Sequence, residues 1–172
     1  GHDLLELNTD ISSPVASWTG IRLFLALTTL YELTPLQLDI NLAYLNAPLE
    51  EEVYMYPPPG SKTPHGLVWR LRKSLYGLRQ SGRNWNKLFV NTLCSDEFGF
   101  IQHSGDPCLF TRLRGNEITI MFIYVDDVYI ASSTTDALNE FTVALQKHFE
   151  LKILGIPRQL LGIQIQWADG FK

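Results

Sequence analysis

Cysteine is nearly missing from this chain: 172 residues contain two, Cys94 and Cys108, and they do not stand in C-x-x-C spacing. A zinc ribbon and a disulfide framework are therefore excluded, and both thiols are expected to be reduced core residues. Histidine is sparse as well. His2, His65, His103 and His148 are scattered, and no Ser/His/Asp or Cys/His arrangement stands out, so chemistry built on an imidazole base has little support. No run of about 18 uncharged apolar residues occurs, and the first residues lack the basic region, apolar stretch and small-residue cleavage site of a secretory leader. The expectation is a soluble intracellular protein, cytoplasmic or nuclear, with no membrane contact. Repeats, low-complexity tracts and clear linkers are absent too. With 45% hydrophobic and 12% aromatic residues, one ordinary core can be buried, so residues 1–172 are expected to form a single domain.

The net charge is −4, a mild argument against nucleic acid, whose phosphates are bound largely through Lys and Arg. The distribution weakens that argument. Between Arg70 and Lys87 stand six basic residues (Arg70, Arg72, Lys73, Arg79, Arg83, Lys87) and no acid, while the rest of the chain carries 8 basic against 18 acidic groups. Such a stripe suits phosphate binding or an ordinary solvated helix face.

Ser12-Ser13-Pro14 offers cap residues and a first-turn proline, after which Val15, Trp18, Ile21, Phe24 and Leu25 recur at helical spacing to about Tyr31. Leu36 to Ile40 reads as a buried strand interrupted by Asp39. Pro57-Pro58-Pro59-Gly60 marks a loop, Leu67 to Leu71 a strand, and Arg79 to Glu97 a helix with Gly99 as terminator. Two hairpins follow. Arg114-Gly115-Asn116 turns the first, and Asp126-Asp127 stand between the apolar runs Ile120–Val125 and Val128–Ala131 of the second. Thr134 or Thr135 caps a helix with the stripe Leu138, Phe141, Leu145 and Phe149, and Leu160 to Trp167 is a last strand containing Gly162. Strands and helices do not alternate regularly, so an α+β fold with a largely antiparallel sheet is expected.

The aspartates carry the chemistry. Asp-Asp is good turn material that can simply face water, but a tight turn between strands this apolar lies near the core, where unpaired carboxylates cost several kcal/mol. Asp39 sets the same problem in another apolar strand. On neighbouring strands the three form a cluster of hard oxygen ligands, suited to Mg²⁺ or Mn²⁺. Two such ions serve in-line phosphoryl displacement without any histidine.

Tyr124-Val125-Asp126-Asp127 resembles the Y-x-D-D motif of reverse transcriptases, and Leu38 to Asn46 resembles the strand bearing their first catalytic aspartate. Glu51-Glu52-Val53-Tyr54-Met55, Lys73 to Gln80, Asp106-Pro107-Cys108-Leu109-Phe110 and Leu160 to Ile165 follow in the order typical of copia-type retrotransposon polymerases. The resemblance implies a palm with partial fingers and no thumb, a metal-binding catalytic triad of Asp39, Asp126 and Asp127, and RNA-directed DNA polymerisation with Mg²⁺ or Mn²⁺. It implies nucleotide contacts at Ile40, Tyr44 and Gly77, with Tyr44 the aromatic gate below the incoming sugar and Gly77 admitting close approach. It further implies RNA/DNA primer-template and dNTPs as partners, template phosphates at the basic stripe, and a primer-gripping segment at Leu161 and Gly162. The alternative readings are an ordinary core aromatic for Tyr44 and a strand bulge for Gly162.

Departures from the pattern fall beside these positions. Asn41-Leu42 stand where Lys-Thr is common, Asn46-Ala47 where Asn-Gly is, Ser81-Gly82 where Ala-Pro is, and Ile153 where an acid is. The match also lacks first finger strands, thumb, connection and ribonuclease H segments, which would weaken the grip on primer-template and leave apolar faces through which two copies could pair. The alternative reading is a degenerate or domesticated palm acting as a non-catalytic protein- or nucleic-acid-binding module. A nucleotide cyclase would also cluster acids, but predicts none of these motifs.

Overall fold

The computed structural model describes residues 13, 14 and 16–167, which divide into two compact units, residues 42–88 together with Ser13, and residues 14–41 with 89–167.

The second unit is built on one six-stranded sheet. In chain order it contains α1 (Trp18–Leu30), β1 (Thr34–Ile40), the strands β4 (Ile101–His103), β5 (Asp106–Arg114), β6 (Glu117–Tyr124) and β7 (Asp127–Ser132), then α4 (Thr135–Gln146) and β8 (Leu151–Gly155). The spatial order is β4-β5-β6-β7-β1-β8, and every neighbouring pair is antiparallel. The first strand thus slots between two that come much later. The α+β expectation with an antiparallel sheet is met.

The wholly apolar runs have a simple cause. Phe24 of α1 meets Phe122 with ring centroids 6.4 Å apart, whereas Phe141 of α4 packs edge-on to Phe98 and Phe100 beside Arg112, whose guanidinium lies over Phe100. Strand alternation puts Phe122 and Arg112 on opposite faces, since Arg112 is aligned with Thr119, an odd number of residues from Phe122. Both faces are covered. Ile120 to Ile123 and Val128 to Ala131 are consequently all buried, each large side chain contributing about 1.5–3 kcal/mol relative to exposure.

Helix α1 begins later than Ser12-Ser13-Pro14 suggests. Ser17 is the cap, its Oγ accepting from the Gly20 N–H at 2.8 Å and donating to Asp106 Oδ2 at 2.5 Å. Trp18 lies off the apolar stripe and is exposed, and Ser12 and Val15 fall outside the described residues. Thr134 caps α4, accepting from the Ala137 N–H.

The other unit holds α2 (Ala43–Asn46), β2 (Pro48–Met55), β3 (Trp69–Lys73) and the first residues of α3 (Ser81–Leu93), whose Phe89 onward belongs to the sheet unit. Strands β2 and β3 pair antiparallel around the proline loop. The helix expected to reach Glu97 stops at Leu93, where Ser95 Oγ donates to the Thr92 carbonyl, and Gly99, at φ +66°, turns the chain afterwards. Cys108 is buried, but Cys94 is exposed rather than a core thiol.

The last expected strand is instead a hairpin. Strands β9 (Gln159–Leu160) and β10 (Ile163–Gln164) pair across Leu161 and Gly162, whose φ values of +47° and +86° are both positive. That is the backbone of a primed two-residue turn, so Gly162 is a turn glycine and not a strand bulge. Among the described residues no helix is long and apolar enough to cross a membrane.

Candidate catalytic site and basic face

The candidate residues divide between the two units. Asp39, Ile40, Asp126, Asp127, Leu161 and Gly162 belong to the sheet unit, and Tyr44, Arg70, Arg72, Lys73, Gly77, Arg79, Arg83 and Lys87 to the other.

In the sheet unit, Asp39 on β1 and Asp127 on β7 are direct register partners. Tyr124 is paired with Asp127 on one side and Lys152 with Asp39 on the other, so Tyr124, Asp127, Asp39 and Lys152 form one row across four strands. The turn between β6 and β7 is Val125-Asp126 rather than Asp126-Asp127. Asp127 has already joined the ladder. Val125 adopts φ +56°, a conformation that a β-branched residue resists. Such outliers cost about 1–3 kcal/mol and gather at functional sites. The turn carries Asp126 to where its carbonyl accepts the Ile40 N–H at 2.9 Å. Ile40 itself points its side chain into the core, leaving only backbone for any contact with a nucleotide.

Burial raises the Asp127 carboxyl above its ordinary range. A hydrogen bond from Gln37 opposes the shift, and the charges of Asp126 and Asp39 reinforce it. Gln37 Nε2 lies 3.2 Å from Asp127 Oδ1 and 3.3 Å from the Tyr129 hydroxyl. Burial, with help from Asp127, pushes Tyr129 up to about 12. These groups open on a cleft of about 740 Å³, lined also by Leu154, Arg158, Gln159, Leu161 and Gly162. Asp127 and the Leu161-Gly162 turn are thus walls of one cavity.

Among the described residues, no three His, Cys, Asp or Glu side chains are gathered into a group that could hold a metal ion. The donor chemistry and backbone placement nevertheless fit a hard divalent cation. Cα partners in an antiparallel ladder stand about 4.5–5.5 Å apart, so carboxylates on one face need side-chain rotation alone to share an ion. Gln37 occupies one oxygen of Asp127.

In the other unit, Tyr44 is half-buried and packs on exposed Tyr76 with ring centroids 4.5 Å apart. Gly77, at φ +98°, has open space where a Cβ would stand. The basic stripe differs from its sequence appearance. Strand β2 sets Glu50-Glu51-Glu52 against it: Arg70 pairs with Glu52 at 2.7 Å and Lys87 with Glu50. Lys87 and, more weakly, Arg83 hold the Glu50 carboxyl below its usual range. Arg72, Lys73 and Arg79 are exposed.

Sequence reasoning missed Gln37, Tyr129, Lys152 and Arg158. Gln37 was within reach, because it stands two residues before Asp39 and period-two alternation puts both on one face.

The sequence description "Reverse transcriptase (RNA-dependent DNA polymerase)" matches residues 3–172 as a family. The chain belongs to the reverse transcriptase family. Its relatives are of the copia type. It is 36% identical over 159 residues to the "Retrovirus-related Pol polyprotein from transposon TNT 1-94" of Nicotiana tabacum, covering 91% of the chain and 12% of that protein. It is 37% identical over 154 residues to the "Retrovirus-related Pol polyprotein from transposon RE2" of Arabidopsis thaliana, covering 88% and 10%. It is 36% identical over 155 residues to the "Truncated transposon Ty1-A Gag-Pol polyprotein" of Saccharomyces cerevisiae, covering 86% and 12%. The chain therefore spans about a tenth of the length of these relatives.

Proposed function

We propose that this chain is the palm-centred core of an RNA-directed DNA polymerase, joining an incoming dNTP to a primer on an RNA template, with both units belonging to one polymerase domain. The observation that carries the reading is the register of Asp39 against Asp127, with Asp126 in the turn just before. Side-chain rotation would bring the three carboxylates to one reacting phosphate.

Asp39, Asp126 and Asp127 would hold Mg²⁺ or Mn²⁺, which when bound supplies Lewis-acid activation of the attacking oxygen and neutralises charge on the departing one. The primer 3′-hydroxyl attacks the α-phosphorus, and pyrophosphate leaves. The Leu161-Gly162 turn offers the wall of the cleft on which the primer end rests. In the other unit, Tyr44 with Tyr76 offers an aromatic platform for the nucleotide sugar, and the open left-handed backbone at Gly77 accommodates close approach. Arg72, Lys73, Arg79 and Arg83, with Arg70 and Lys87 once released from Glu52 and Glu50, would meet template phosphates.

A second reading, a non-catalytic binding module, is favoured by one observation, the pairing of Arg70 and Lys87 to acids of their own unit. Primer extension on an RNA template with Mg²⁺ and with Mn²⁺ separates the two, comparing the wild-type chain with a folded Asp126→Asn, Asp127→Asn double variant. Extension lost in the variant is the expected result. No extension by either protein would favour the binding module.

A further inference from the structure

Asp127 needs something to hold its carboxylate. It starts a strand after a strained turn, sits half-buried beside two other acids, and forms no ion pair among the described residues. Among the described residues, one neutral donor is aimed at it. Gln37 stands on the adjacent strand, on the same face, and its two amide hydrogens have two acceptors, Asp127 Oδ1 at 3.2 Å and the Tyr129 hydroxyl oxygen at 3.3 Å. Gln37 and Tyr129 are themselves register partners. The amide orientation follows from the chemistry, because a carboxylate only accepts, so Nε2 and not Oε1 must face Asp127.

We propose that Gln37 is a positioning residue: clamped by Tyr129, its amide fixes one oxygen of Asp127 and leaves the other directed at the metal site. The inference rests on the polymerase reading, since it takes Asp127 as a metal ligand. A neutral donor suits the task better than Lys or Arg, whose charge would compete with a divalent cation for the carboxylate. Ligand-orienting partners of this kind typically contribute 10–100-fold in metal affinity when removed.

A role in packing alone makes a different prediction, because it affects folding stability without changing the affinity of folded protein for a cation. The test is Mn²⁺ titration of the folded chain followed by electron paramagnetic resonance, with circular dichroism as the check on folding. Wild type, Asp127→Asn, Gln37→Met and Tyr129→Phe are compared. Gln37→Met keeps the length of the side chain without a donor and is expected to weaken Mn²⁺ binding about tenfold. Tyr129→Phe, which leaves the donor but removes its clamp, is expected to weaken it less. If binding depends on Asp127 yet Gln37→Met and Tyr129→Phe both match wild type within twofold, the positioning role is overturned and the metal site stands. If wild type shows no Asp127-dependent Mn²⁺ binding, the polymerase reading of the site falls and the inference with it.

Discussion

Asp39 and Asp127 face one another across the β1–β7 ladder as direct partners, an arrangement of like charges that is destabilising in an ordinary sheet. Burial and the neighbouring acids raise the folded-state pKa of Asp127 above its ordinary value. A raised carboxyl contributes stability at pH below its ordinary range and loses it as pH rises through the folded value. Asp127→Asn should therefore melt higher than wild type at pH 7 in the absence of divalent metal, the gain disappearing toward pH 3. Thermal melts at the two pH values check it, and a lower Tm for the variant at pH 7 would show the acid to be well accommodated.

A cation that binds the folded carboxylates should reverse that penalty. At a concentration of about 100 times its Kd, a ligand of the native state adds about 2.7 kcal/mol, so millimolar Mn²⁺ should raise the wild-type Tm by several degrees and leave Asp39→Asn unmoved. Equal shifts in the two proteins would locate the binding elsewhere.

Gly20 tests the tie between α1 and β5. Alanine in a helix ordinarily improves on glycine by about 1 kcal/mol, but a Cβ at Gly20 would stand 2.1 Å from Asp106 Oδ2. Asp106 cannot easily yield, being buried and bonded to Ser17 Oγ and the Cys108 N–H. Gly20→Ala is expected to destabilise by about 2 kcal/mol, lowering Tm by roughly 5 °C. A stabilised variant would mean that the carboxylate swings away.

Leu161 occupies the first position of a primed turn at φ +47°, where asparagine is at ease and leucine is strained. Leu161→Asn should stabilise the chain by about 1 kcal/mol, read as a rise in the urea midpoint. In the polymerase reading it also lowers primer extension, because Leu161 lines the cleft beside Asp127.

On the β2–β3 unit, Glu50→Gln with Glu52→Gln frees two cations. Exposed ion pairs contribute about 0–1 kcal/mol, so stability should hardly change. Single-stranded RNA binding should tighten, with a dependence on log salt steeper by about 1.4. An unchanged slope would remove Arg70 and Lys87 from the phosphate contacts.

Much of this was legible in the residues. The apolar runs on either side of Asp126 and Asp127 announced a hairpin close to the core, and the Leu138, Phe141, Leu145 stripe gave α4. Strand β8 was not legible, because Lys152, Ile153 and Leu154 at an exposed edge carry no alternation. Nor was the acidic partner of the basic stripe, since β2 shows mostly exposed residues and its pairing with β3 spans the proline loop. At the site, sequence supplied the three aspartates but not Gln37, whose meaning depends on which strand lies beside β1. Leu161 misled for a local reason: leucine seldom turns a hairpin, so an apolar stretch read as one strand where the backbone folds back.

The place of β1 in the sheet bears on the order of assembly. Both its neighbours, β7 and β8, lie far downstream, with Gln37 and Asp127 ninety residues apart in sequence. A ribosome adding about 5–20 residues per second needs on the order of 10 s to make that interval. Throughout it the segment holding Asp39 exists without either strand that will flank it. The hairpin of β6 and β7 is by contrast local and can close on its own. The sheet face that bears Asp39 and Asp127 is then completed only when an already formed hairpin captures a waiting strand.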